Sequence, residues 1–185
     1  MPVSLSRLRS SAIAVAAAAG LTLGLGGPAA ADSVFPVNHG GQLVEQAPRT
    51  GAPFVDNGQV RDLAQIGDTI YVGGTFGSVL AQRNGTRVDQ SNLYAYSRTS
   101  GQLLTSFAPD LDGEINVVLP SADGTSVYIG GGFRNIDGTE QRGVAKLDAV
   151  TGELDTAFAL QLAGKANTVA LNGNTLWVGG TFSLA

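Results

Sequence analysis

Tyr71-Val72-Gly73-Gly74-Thr75-Phe76 returns as Tyr128-Ile129-Gly130-Gly131-Gly132-Phe133, and again as Trp177-Val178-Gly179-Gly180-Thr181-Phe182. Each copy is an aromatic, a β-branched residue, two glycines, a small residue and a phenylalanine. Each follows a turn signal: Gly67-Asp68, Asp123-Gly124 or Asn172-Gly173-Asn174. The copies start 57 and 49 residues apart. Glycine inside a strand pattern marks a bulge, a positive φ or a close backbone approach, so the pair is expected to end or bulge its strand.

Outward from these stretches the chain reads as strands. Gln59 to Ile66 partly alternates polar and apolar residues, as a half-buried strand does, and Thr69 to Val72 returns from the Gly67-Asp68 turn. A polar loop over 81–91, with Asn84-Gly85 at its tip, leads to a third strand over Asn92 to Tyr96. Thr99-Ser100-Gly101 turns the chain into a fourth, Gln102 to Phe107. The second unit keeps the order: strands over Glu114 to Leu119 and Ser126 to Ile129, a loop over Asn135 to Gln141, then strands over Gly143 to Leu147 and Glu153 to Phe158. Gly101 to Gly152 and Phe107 to Phe158 are both 51 residues apart; the larger early spacing fits a longer surface loop in the first unit. No window carries the 3.6-residue period of a helix. The expectation is an all-β chain of four-stranded β-propeller blades: 58–112 the first, 113–163 the second, 164–185 the first half of a third. A β-sandwich shares the turn spacing but does not call for a recurring motif.

The remaining sequence bounds location and chemistry. Arg7 and Arg9, the apolar run Ala12 to Leu25 and Ala29-Ala30-Ala31 form a secretory signal peptide over 1–31, with cleavage expected after Ala31. The run is shorter than the roughly 20 residues of a membrane span, and glycines and Pro28 interrupt its end. Both signal arginines fall among the 11 basic residues and all 15 acidic residues follow, so the mature part has nine basic residues and a net charge of −6. An acidic chain without a basic patch gives no electrostatic support for nucleic-acid binding. With no cysteine, thiol catalysis, thiolate metal sites and disulfide stapling are excluded. Residues 32–57, broken by Pro36, Pro48, Pro53 and Gly40-Gly41, read as an irregular arm with a short edge strand over Gln42 to Gln46. His39, the only histidine, lies in this arm and is read as a solvated side chain.

The order Val/Ile-Gly-Gly-x-Phe, Gly-x-x-x-Arg, strand, Thr-Gly-x-Leu-x-x-x-Phe is clearest from Tyr128 to Phe133, through Gly138 to Arg142, to Thr151-Gly152-Glu153-Leu154 and Phe158. It resembles the delta-60 repeats of secreted bacterial proteins, which are similar to kelch and galactose-oxidase-type propellers. The resemblance spans about Gly58 to Phe182, and the alanine-rich leader suits an actinobacterial source. It implies a propeller architecture and an extracellular setting, and says almost nothing about activity. The first unit departs from the pattern with Ser100 in place of threonine and with its longer loop.

Closed propellers have roughly four to eight blades, so two and a half point to an N-terminal fragment of a longer protein. Exposing Trp177, Val178, Phe182 and Leu184 would forfeit about 1.5–3 kcal/mol each, comparable in sum with a domain's net stability of ~5–15 kcal/mol. A ring closed by several chains is the other solution.

The candidate sites have plain readings. Asp110, Asp112 and Glu114 have calcium-like spacing without the rest of an EF-hand loop, and are read as an inter-blade turn. Asp123-Gly124 and Asp137-Gly138 are read as turn residues. The glycine pairs lack the Gly-x-Gly-x-x-Gly pattern and following helix of a dinucleotide site. Asp148 and Asp155 are paired in sequence, whereas glycosidase chemistry needs two carboxyls about 5–9.5 Å apart across a sugar. Tyr94, Tyr96, Tyr128 and Trp177 could stack on sugar rings and are read chiefly as packing. No catalytic, cofactor-binding or metal-binding residue and no cofactor is assigned. The expected function is non-catalytic: an extracellular propeller domain for binding or cell-surface display. Its partners would be an extracellular carbohydrate or protein ligand and the remaining blades of the parent chain, with no nucleic acid and no membrane span after cleavage. The alternative is the N-terminal part of a secreted hydrolase, lyase or oxidase whose active site needs the missing blades.

Overall fold

The recurring stretch lies on the middle strand of a sheet in two cases and on a hairpin in the third. The computed structural model describes residues 51–81 and 85–184, so the signal-peptide reading over 1–31, His39, the strand over Gln42 to Gln46 and Asn84 fall outside the described residues. Among the described residues the chain is all-β and has no helix. Strand β1 is Phe54–Val55, β2 Gln59–Ile66, β3 Thr69–Thr75, β4 Val79–Leu80, β5 Arg87–Val88 and β6 Leu93–Ser97. Then come β7 Ile115–Pro120, β8 Ser126–Gly131, β9 Asn135–Ile136, β10 Thr139–Glu140, β11 Val144–Asp148, β12 Leu162–Asn172 and β13 Thr175–Leu184. Three antiparallel sheets carry the glycine pairs: β2-β3-β6, β7-β8-β11 and β12-β13. β2 lies against β7, and β7 against β12, so the first strands of the three sheets stand side by side.

Two of the three glycine pairs do not end their strands, whereas β8 stops at Gly131. β3 runs through Gly73 and Gly74 to Thr75, and β13 runs through Gly179 and Gly180 to Leu184. The bulge sits on the opposite strand instead, where pairing slips between Val60 and Asp62, between Ile115 and Val117, and between Ala166 and Thr168. The second glycine of each pair faces the bulged backbone. A side chain on Gly74, Gly131 or Gly180 would collide with the carbonyl oxygen of Gln59, Glu114 or Lys165 respectively. The first glycine admits side chains from outside its own strand: a Cβ on Gly73 would stand 2.6 Å from Ile115 Cγ2 and 2.7 Å from Val118 Cγ2, both on the next sheet.

Two expectations need adjustment. The fourth strands, Gln102 to Phe107 and Glu153 to Phe158, are reduced to single bridges, Tyr96↔Leu103 and Leu147↔Leu154. Each segment dips inward after the bridge, burying Phe107 completely beneath Tyr71 and resting Phe158 on Tyr128, with ring centroids 5.1 Å and 5.8 Å apart. The polar loops are also partly ordered. β4 pairs with both β5 and β1, while β9 and β10 form a hairpin.

The core lies between sheets. Tyr71, Leu93, Ile115, Val118, Ile129 and Leu147 belong to a cluster filling the first junction. Val144, Leu162, Ala166 and Val169 fill the second, with Val117, Leu119 and Val178 against them. Two buried glutamines lock corresponding corners. Gln90 Nε2 donates to the carbonyls of Leu93 and Phe107, and Gln141 Nε2 to those of Val144 and Leu160. The outer faces are unequal. Val60 and Leu63 on β2 are exposed, whereas Ile115 and Val118 at the same places on β7 are buried. Trp177 and Leu184 on β13 are exposed, while Val178 and Phe182 are half-buried.

Candidate functional site

Each bulge turns one residue out of the ladder on the first strand of its sheet. These residues are Arg61, Asn116 and Asn167. Because the first strands are neighbours, the three side chains meet. Arg61 Nη1 donates to Asn116 Oδ1 at 2.5 Å, and Asn116 Nδ2 donates to the Ala166 carbonyl at 2.9 Å and to Asn167 Oδ1 at 3.4 Å. Two residues before each bulge stand Gln59, Glu114 and Lys165. Glu114 bridges both neighbours, taking Arg61 Nη2 at 3.1 Å and Lys165 Nζ at 2.6 Å. Lys165's hydrogen bond holds the Glu114 carboxyl below its ordinary value; partial burial opposes this and the Arg61 charge reinforces it. Glu114 is therefore ionised at neutral pH and serves as an acceptor. A carboxyl that donates a proton near pH 7 needs the opposite shift.

Beside this row, a cleft of about 340 Å³ opens between the second and third sheets. Gly132, Leu162 and Gly164 form its apolar and backbone walls, and Arg134, Arg142 and Lys165 bring three cations to it. Arg142 pairs with Glu140 and Lys165 with Glu114, while Arg134 is exposed and makes no ion pair among the described residues.

The residues singled out in the sequence are not brought together. Asp112 accepts from the Arg134 and Asn135 backbone N–H groups and from Asn135 Nδ2, which holds its carboxyl below the ordinary range against partial burial. Asp137 Oδ1 takes the Asp110 N–H at 2.9 Å. Asp123 binds Ser121 and Thr125 within its own turn, and Asp148 binds the Val150 and Thr151 N–H groups. Asp155 pairs with Lys146 at 2.8 Å. Among the described residues no group of three histidine, aspartate or glutamate side chains converges as a metal site.

The aromatics divide by environment. Tyr94 is buried, which pushes its phenol up, and it stacks edge-on to Phe76 with Tyr96 tilted beside it. Tyr128 is half-buried and Trp177 is 64% exposed. The bulge row leaves a signal in the sequence: Gly58-Gln59-Val60-Arg61, Gly113-Glu114-Ile115-Asn116 and Gly164-Lys165-Ala166-Asn167 each place a long polar residue directly after a glycine and a second polar residue two positions further on. No protein-family model, curated protein or solved structure matches this chain.

Proposed function

We propose that residues 58–185 belong to an extracellular β-propeller repeat domain that binds a ligand or serves cell-surface display rather than catalysing a reaction. The observation that carries the architecture is the side-by-side order of β2, β7 and β12, each bulged opposite a glycine pair. Sheets set side by side through their first strands support a reading as propeller blades around an axis. The delta-60 resemblance supports the same reading, and the N-terminal signal pattern supports export. The non-catalytic reading rests on the chemistry of the row. Its one carboxylate is tied to two cations, and among the described residues no nucleophile–base pair adjoins it.

Ring closure calls for more glycine-pair sheets than the three among the described residues, from further chain or from further copies. Sequencing the source gene past the codon for Ala185 and weighing the protein in solution by light scattering test this. The expected result is further aromatic-β-branched-Gly-Gly-x-Phe copies, or a discrete multimer. A stop codon together with a monodisperse monomer overturns it. Fractionation of the source cells tests the setting: a processed chain beginning at Asp32 outside the cytoplasm is expected, and an unprocessed cytoplasmic chain overturns it.

A further inference from the structure

We infer that the cleft between the second and third sheets is a binding site for a small oxyanion, a carboxylate or sulfate group carried by a sugar-sized ligand. Comparison of the two junctions carries this. Phe76 and Phe133 are both buried, as are Val79 and Ile136, and Leu111 and Leu162. These anchors fix which residues correspond. Asn92 and Gly143 correspond as well, and both hold a positive φ, 64° and 73°. With that register, Arg134 stands where the first junction has Gly77, Arg142 where it has Ser91, and Lys165 where it has Glu114. The fold builds the same corner with glycine, serine and glutamate, so packing does not demand three cations at the second. A chain of net charge −4 has placed them together at one rim.

Among the described residues the charge balance there leaves one cation free. Glu140 answers Arg142 and Glu114 answers Lys165, whereas Arg134 has no carboxylate among the described residues. A guanidinium is planar, always charged and presents paired N–H donors, which match the two oxygens of a carboxylate or sulfate. The cleft, about 340 Å³, is at the small end of ligand pockets, of the order of 300–1,000 Å³. Gly132, Ala163 and Gly164 line it alongside Phe133, Leu162 and the three cations, a mixture that suits a polar body of one sugar ring better than a broad apolar one. The inference depends on the geometry of two adjacent sheets and stands whether or not a ring closes.

Titration of the full chain, followed by NMR shifts or calorimetry at low salt, tests it with four probes: glucuronate, glucose 6-sulfate, inorganic sulfate and glucose. The anionic sugars are expected to bind, glucose at least tenfold more weakly, and added salt to weaken the anionic sugars as screening grows. Arg134→Gln should weaken glucuronate about tenfold, and Arg142→Gln should weaken it less because Glu140 already engages that guanidinium. Arg98→Gln, at an exposed guanidinium on the first sheet, should leave binding unchanged. Inorganic sulfate binding as tightly as the sugars would overturn the sugar-sized ligand and leave a free-anion site. Equal binding of glucose, no binding of any probe at 20-fold the concentration of the protein's own millimolar sample (about 20 mM, a weak-affinity ceiling), or indifference to Arg134→Gln in a folded variant would overturn the site.

Discussion

The first and second sheet junctions share one backbone register and use it differently. At the first, Tyr71 is 1% exposed, its hydroxyl donates to the Ala149 carbonyl at 2.6 Å, and Asp62 Oδ2 accepts the Val118 N–H across the junction at 2.8 Å. At the second, Tyr128 stands in Tyr71's place, half-buried on Phe158, and the crossing contact is Asn116 Nδ2 on the Ala166 carbonyl. On the third sheet the same place holds Trp177, mostly exposed. The register is a property of the glycine pair and its bulge. What each junction encloses depends on the neighbouring side chains, which the motif leaves free. The first junction spends them on packing, and the second opens a charged cleft.

The first glycine of the pair should expose this difference most strongly. Gly73→Ala drives a methyl into Ile115 and Val118, both buried and unable to withdraw, and overpacking of this kind costs about 1–3 kcal/mol. Gly179→Ala meets only Thr168 Cγ2 at 2.9 Å, on an exposed side chain that can turn away. Its cost should stay under about 1 kcal/mol, since alanine also lowers the entropy of the unfolded chain. Urea unfolding of the two variants measures the gap. Equal costs would mean that the outer face of the third sheet is covered in solution, and the comparison would break there.

A smaller effect is expected at the aromatic position. Tyr71→Phe leaves the buried Ala149 carbonyl without its donor and should cost about 1–2 kcal/mol. Tyr128→Phe should fall within about 0.5 kcal/mol, because its hydroxyl has no hydrogen-bond partner among the described residues. If the two changes cost the same, the second junction closes more tightly in solution than its half-buried tyrosine implies.

Much of this architecture was legible because glycine pairs, turn dipeptides and alternating residues act locally. Gly101 and Gly152 take positive φ as turn residues, and Gly67-Asp68 makes its hairpin. The bulge was placed on the wrong strand for a physical reason. A glycine records that something approaches, not what approaches, and here it is the backbone of the partner strand. The short fourth strands were misjudged because Phe107 and Phe158 look like strand residues until the space beneath Tyr71 and Tyr128 claims them. The bulge row and the cation cleft could not be read from local pattern. Arg61, Glu114 and Lys165 are about fifty residues apart in turn, and only the order of the sheets joins them.

The turns give the finest contrast. On the first sheet Asp68 reaches across to Ser97 Oγ and Thr99 N, tying one turn to the next. On the second, Asp123 serves only its own turn, through Ser121 Oγ and Thr125 N, and these bonds with that of Thr125 Oγ1 pull its carboxyl from the ordinary 3.8 to about 2. Asp68 is lowered too, first by Ser97 and then by Thr99. A carboxyl depressed in the folded chain adds stability that is present above its unfolded value and is lost as pH falls toward its folded one. For Asp123 the window runs from near 4 down to near 2. Asp123→Asn should flatten the loss of stability in that window, measured as urea midpoints at successive pH values, and Asp68→Asn should flatten it as well. The two differ in reach. Ser121 and Thr125 are each two residues from Asp123, so those bonds can persist in the unfolded chain, whereas Asp68 finds Ser97 and Thr99 only after the sheet forms. A flattening for Asp68→Asn with none for Asp123→Asn would show that the local turn survives unfolding, and that the depressed carboxyl of the second sheet belongs to its sequence as much as to its fold.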